Sequence, residues 1–269
     1  MMKSLKYSRR FLFCIIFLLS CQTVPITGRQ QLSLIPSGTL LQMSYDAYED
    51  FLSKHKVIEN TPEADMVKRV GRRIQHAVEG YFAEHNMSER LIGYRWKFNL
   101  VEDKNANAWA MAGGKVVVYT GILSPARNET GLAVVMGHEI AHVVANHGEE
   151  RMSQELIAQM GGMALSTALE QYPGQTTDLF MAAYGLGAQV GVLLPYSRVQ
   201  ESEADHLGLI FMAIAGYDPR AAVDFWQRMA RKKQGASPPE LLSTHPADAT
   251  RIRNIERLIP EAMRHYRNR

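Results

Sequence analysis

His138 and His142 stand four residues apart in Gly137-His138-Glu139-Ile140-Ala141-His142. On a helix that spacing puts both imidazoles on one face, one turn from each other. Two neutral imidazoles so placed can grip one Zn²⁺. Glu139 sits beside them and can take a proton from a water held on that metal. The alternative is two buried histidines and an incidental glutamate. A second acidic pair, Glu201 and Asp205, begins 59 positions after His142 and also has a spacing of four, so the two carboxylates share a helix face. Two His and one Glu, with water in the fourth place, are a recurring catalytic zinc set, and Glu201 would complete it. Asp205 would accept the spare N–H of a zinc-bound imidazole and fix its tautomer. Taken alone, Glu201 reads equally well as half of an ion pair on a helix surface. Glu203 points elsewhere and is expected in solvent. His147 lies nine residues after His138, nearly on the opposite helix face, and reads as structural or exposed. It reaches the same metal only if the helix breaks.

These groups need a helix under them, and the sequence supplies one. Asn128 is a good N-cap and Glu129 suits the first turn. Leu132, Val135, Met136, Ile140, Val143 and Val144 then recur at helical spacing. Glu201 lies in a second helical pattern with Leu207, Ile210, Phe211 and Ile214.

The chain has 269 residues, 46% hydrophobic and 21% charged, an ordinary globular composition. The formal net charge is +3, and no basic stripe is interleaved with exposed aromatics, so no nucleic-acid partner is expected. The two cysteines are Cys14 and Cys21, so the rest of the chain can form neither a disulfide framework nor a thiolate zinc site. Any metal there is held by His, Glu or Asp.

Lys3, Lys6, Arg9 and Arg10 form a positive segment, and Phe11 to Leu19 an apolar one too short to span a bilayer. It ends in Leu18-Leu19-Ser20-Cys21, which looks like a bacterial lipobox. The alternative is an ordinary secretory signal with an incidental cysteine. We read residues 1–20 as a lipoprotein signal peptide, with Cys21 lipidated and holding the chain at a membrane surface. Gln22 rather than Asp after the cysteine favours the outer membrane, facing the periplasm. Residues 21–37 read as a tether or extended arm, and residues 38–269 as one domain.

Helical patterns run from about Ser37 to His85, with Thr61-Pro62-Glu63 a good helix start. Strand signals follow at Trp96 to Val101, Ala108 to Met111 and Lys115 to Thr120. They predict a small antiparallel sheet beside the metal helix, with residues 105–120 a substrate platform and an extended peptide lying along 115–119; the alternative is a sheet that only packs against the helix. The apolar stretch within 150–194 reads as a buried helical hairpin. The expected class is α+β, mainly helical.

Gly137-His138-Glu139-x-x-His142 followed by Glu201-x-x-x-Asp205 resembles the HtpX-like zinc metallopeptidases, a gluzincin family, and within it the periplasmic lipoprotein branch of LoiP and BepA. The resemblance extends to Asn107 through Gly114, to Tyr196-Ser197-Arg198, and to Ser243-Thr244-His245-Pro246 with Arg251 behind it. It covers roughly residues 22–260. It implies one zinc ion per chain, endopeptidase activity on polypeptides, and Glu201 as third ligand. It links the late histidine, here His245, to transition-state stabilisation or to gating the metal, and gives Arg251 a regulatory or oxyanion role. From the residues alone, His245 is a loop histidine before a proline. The function so implied is a membrane-anchored endopeptidase for extended or misfolded envelope proteins. The rival is a lipid-anchored chaperone-like or assembly factor with a closed metal site. The sequence names neither the substrate nor a protein partner.

Overall fold

The computed structural model describes residues 21–160, 165–186, 197–232 and 239–266. The signal segment, residues 1–20, and the side chain of Cys21 lie outside the described residues, as do 161–164 and 187–196 of the expected apolar hairpin. Strands β1 (Cys21–Thr23) and β2 (Gln30–Leu32) pair antiparallel. The stretch expected as a tether is therefore packed, with Val24 and Ile35 buried. Helix α1 (Ser37–Lys54) and the short strand β3 (Val57–Ile58) follow.

Helix α2 (Pro62–Glu84) starts where its local chemistry allows. The Thr61 hydroxyl accepts from the Ala64 N–H at 3.2 Å, and Pro62 has no N–H to leave unmet. Its inner stripe, Val67, Val70, Ile74 and Val78, is fully buried. Each such side chain contributes about 1.5–3 kcal/mol of burial.

Strands β4 (Lys97–Val101), β5 (Ala108–Met111) and β6 (Lys115–Tyr119) complete a sheet of order β3-β4-β6-β5. The sheet is mixed, not antiparallel as expected: β4 and β6 run parallel, with Lys97 opposite Lys115 and Val101 opposite Tyr119. β5 and β6 form an antiparallel hairpin, turned at Gly113 and Gly114, both with φ of +76°. A side chain is strained there, so glycine serves. The expectation that a peptide lies along residues 115–119 is also corrected: β6 is hydrogen-bonded on both sides, and the edges are β3 and β5, the latter within the wider 105–120 stretch. The run of three valines reflects a strand covered on both faces, which loses its polar alternation. Val116 and Val118 join the cluster of α2 and the metal helix, while Val117 and Tyr119 join that of α1.

The chain continues through α3 (Thr120–Ala126), the metal helix α4 (Glu129–Val144), and α5 (His147–Met160). Then come α6 (Leu165–Gln171) and α7 (Pro173–Ala183), α8 (Arg198–Ile214), α9 (Ala221–Lys232), α10 (Leu241–Thr244) and α11 (Ala249–His265). Asn128 caps α4, its side chain accepting from Gly131 N at 2.9 Å. Ser197 and Gln200 form a reciprocal capping box at the start of α8. Among the described residues, no helix is long and apolar enough to cross a membrane.

Candidate metal centre

Helix α4 is buried from Gly131 to Val144, so its imidazoles face protein rather than water. Across them lies α8, whose Glu201 comes from its first turn. The two helices touch where Gly137 meets Gly208; a Cβ on Gly208 would lie 3.0 Å from the Gly137 carbonyl carbon. Glycine at both positions allows this backbone approach. Glu201 lies seven residues, about two turns, before Gly208 and so shares its side of α8.

His138, His142, Glu201 and His245 converge, each offering one donor atom within 4.8 Å of all the others. His138 Nε2 is 3.1 Å from His142 Nε2 and 3.1 Å from His245 Nδ1. His142 Nε2 is 3.3 Å from Glu201 Oε1, and His245 Nδ1 is 2.7 Å from the same oxygen. Donors at zinc bonding distance of about 2.0–2.1 Å in a tetrahedron stand roughly 3.3–3.4 Å apart. These spacings fit.

The surrounding partners decide the tautomers. His138 Nδ1 lies 3.0 Å from Asp205 Oδ1, which can only accept, so the ring donates there and Nε2 keeps a lone pair. His147 Nε2 is 3.2 Å from Glu203 Oε2, and His147 Nδ1 is 2.8 Å from His142 Nδ1. Glu203 therefore takes the His147 proton, His147 Nδ1 accepts from His142, and His142 Nε2 also presents a lone pair. A cation between these nitrogens, 3.1 Å apart, would be held by both lone pairs; Arg251 Nη2 also lies 3.3 Å from His138 Nε2.

Charge points the same way. Glu139, Glu201 and Asp205 are buried beside Arg251. Burial lowers the pKa of both His138 and His142, keeping them neutral as ligation requires. Burial opposes ionisation of Glu201, but His245 and Arg251 outweigh it and hold the carboxyl well below its ordinary range. Burial likewise opposes charge on Asp205, and the Arg251 guanidinium outweighs it. At Glu139 the balance goes the other way: burial, with the Glu201 charge, outweighs His245 and Arg251 and pushes the carboxyl up to about 7. Its Oε1 is buried without a hydrogen-bond partner among the described residues.

Arg251 holds the frame. It is bidentate to Asp205, at 2.8 Å to each oxygen, and its Nη1 is 2.7 Å from Glu201 Oε2. Asp248 caps α11 by accepting from Arg251 N at 2.8 Å, which fixes where that arginine starts. The guanidinium lies 3.7 Å from the Trp226 ring centroid, a contact the sequence did not signal.

Two expectations are corrected. Glu203 is not in solvent; it is buried, with His147, Thr27 and Arg29 around it. Of the two readings of His147, structural or exposed, exposure is corrected: it is buried against His142 because α4 ends at Val144 and Asn146 turns back with φ of +59°. Asparagine just past a helix end is a signal for that turn.

The sequence pattern of peptidase family M48 matches residues 68–259. The chain belongs to that family. Mitochondrial metalloendopeptidase OMA1 of Schizosaccharomyces pombe is 33% identical over 243 residues, covering 89% of this chain and 66% of the relative. Human mitochondrial metalloendopeptidase OMA1 is 29% identical over 261 residues, covering 94% of this chain and 48% of the relative. A putative beta-barrel assembly-enhancing protease of Vibrio cholerae is 31% identical over 215 residues, covering 77% and 41%. The chain thus spans about a third to two thirds of the length of the OMA1 relatives it matches. In this M48 chain, His138, His142 and Glu201 make a site for zinc.

Proposed function

We propose that this chain is a zinc metalloendopeptidase that cleaves extended or misfolded polypeptides. The observation that carries it is the convergence of the His138 and His142 Nε2 atoms, 3.1 Å apart, with Glu201 beside them and the Glu139 oxygen alongside. Zinc there supplies a Lewis acid that polarises the scissile carbonyl and acidifies the attacking water. Glu139 takes the proton from that water and returns it to the leaving nitrogen. Its raised pKa, about 7 from burial, suits a group that must both accept and donate near neutrality. Asp205 and the Glu203–His147 pair hold the two imidazoles in the ligating tautomer. The polypeptide adds along β5, an edge strand of the four-stranded sheet. A cavity of about 180 Å³, lined by Arg198, Glu201, Asp205 and Arg251, reaches the carboxylate side of the site.

The finer reading places the chain in the HtpX-like lipoprotein branch, anchored through Cys21 at the outer membrane of a bacterial envelope. The basic and apolar N-terminal segments ending in Leu18-Leu19-Ser20-Cys21 support it. The relative named as a beta-barrel assembly-enhancing protease supports an envelope substrate; the OMA1 relatives are mitochondrial proteins.

A second reading has its own observation. His245 Nδ1 stands where a fourth ligand would, and its Nε2 is 3.6 Å from Glu139 Oε1. The short α10 that carries it is tied to the sheet edge, Leu241 N donating to Ala106 O at 3.2 Å. That is a closed site, compatible with an assembly factor whose hydrolysis is held off. Cleavage of unfolded casein by the full chain, by Glu139→Gln and after chelation separates the readings. Cleavage that needs both the metal and Glu139 supports the peptidase; undiminished cleavage by Glu139→Gln removes Glu139 as the base.

A further inference from the structure

The segment ahead of α1 is bonded to the metal site from behind. The Arg29 guanidinium forks between two buried carboxylates. Its Nε donates to Glu203 at 2.9 and 3.0 Å, and its Nη atoms donate to Glu150 at 2.6 and 2.7 Å. Thr27 Oγ1 donates to Glu203 Oε1 at 2.7 Å. Glu203 accepts from His147, and His147 accepts from His142. The same segment also grips the break between α4 and α5. Gln31 Nε2 donates to Ala145 O at 2.7 Å, capping the end of the metal helix, and Asn146 Nδ2 donates to Gln22 Oε1 at 2.9 Å. Glu150, Glu203, Gln31 and His147 are all buried, so water offers them no substitute partners.

We propose that the arm of residues 22–36 is a positioning element of the metal site, acting on the zinc ligand His142 through an Arg29–Glu203–His147 relay. Arg29 holds Glu203 in one orientation. Glu203 fixes which nitrogen of His147 accepts, and His147 thereby fixes the tautomer and ring orientation of His142. Outer partners of a ligating histidine commonly change metal affinity strongly. Here the outermost partner sits on a short strand pair rather than in the core. Zinc retention is therefore coupled to docking of the arm. Undocking the arm loosens His142 while leaving His138, which Asp205 holds from the opposite side, in place.

The proposal rests on the zinc reading of the site, and its test measures metal rather than turnover. Zinc affinity of the full chain is measured against a chromophoric chelator, with thermal unfolding of the metal-free chain recorded for every variant. His147→Phe, which keeps the ring but removes its nitrogens, weakens zinc binding by about 10- to 100-fold. Arg29→Gln weakens it less, by about threefold or more, and Arg29→Lys falls between Gln and the parent chain. The deciding result is the double variant. Through a relay, Arg29→Gln costs nothing further once His147 is Phe, so the losses are not additive. Additive losses, or equal zinc affinity in all variants, overturn the relay. A parent chain that binds no zinc overturns the site reading along with it. If His147→Phe does not fold, the isosteric Glu203→Gln takes its place in the cycle, with the same criterion.

Discussion

Gly137 of α4 and Gly208 of α8 meet backbone to backbone: a Cβ on Gly137 would lie 3.1 Å from the Gly208 carbonyl oxygen. This crossing sets how far Glu201 stands from the two imidazoles. Gly208→Val forces the helices apart, costing about 1–3 kcal/mol from overpacking. It also carries Glu201 away, so zinc affinity falls with stability. Gly80→Ala is the control, because a Cβ there meets nothing within 4 Å. It raises stability by about 0.5–1 kcal/mol and leaves zinc affinity unchanged. Thermal unfolding and chelator competition on both variants check the pair. Unaltered zinc affinity in Gly208→Val contradicts the account.

Arg251 is buried among Asp205 and Glu201, which it neutralises. Arg251→Met leaves those carboxylates facing each other in a dry site, a loss on the order of 3–5 kcal/mol for the metal-free chain. Zinc supplies replacement positive charge. The expected outcome is a large fall in the melting temperature of the metal-free variant, partly restored on adding zinc. A fall that zinc does not touch would show that Arg251 is needed for packing on Trp226 alone.

His245 contributes a donor that the three-residue site does not require. His245→Ala therefore keeps zinc, weakened by about tenfold at most. Cobalt-substituted protein reports the change directly, since losing one nitrogen donor alters its visible absorption. With the fourth place open to substrate, casein cleavage by this variant rises above the parent. A fall in cleavage with retained cobalt would instead place His245 at the oxyanion.

Glu149 gives a pH test remote from the metal ligands. Burial pushes its carboxyl up to about 7, against the opposing hydrogen bond from Ser33 and the charge of Arg90. The folded chain thus prefers it protonated. That contribution is fully present below the unfolded value near 4.5 and is lost as pH rises through about 7. The difference is on the order of 3 kcal/mol. Glu149→Gln, which cannot ionise, is expected to be more stable than the parent at pH 8, with the gap closing toward pH 5. Urea unfolding at the two pH values measures it. Parallel stability curves for parent and variant would refute the assignment.

Much of the site was legible because its chemistry is local. His138, Glu139 and His142 lie within one turn and a half of a helix whose cap at Asn128 and apolar stripe are written in the chain. Glu201 and Asp205 share a face for the same reason of spacing. Other parts depend on where the chain bends. Asn146 ends α4 and so turns His147 onto His142, when an unbroken helix would have sent it to the far side. Glu203 looked like a solvent residue because helical spacing sets it off the Glu201 face; only the arm, returning from 174 positions earlier in sequence with Arg29, covers it.

The sequence by itself determined the donor set, the helix that pairs its histidines, and the mainly helical class with a short sheet, because these follow from residue type and periods of 3.6 and 2. Tertiary structure alone decided the mixed strand order, the place of His245 beside the metal ligands, and the bonds from Arg29 and Arg251 that fix the outer partners. Those depend on which distant segments meet across a glycine crossing or a helix break, and no spacing along the chain encodes a distance through space.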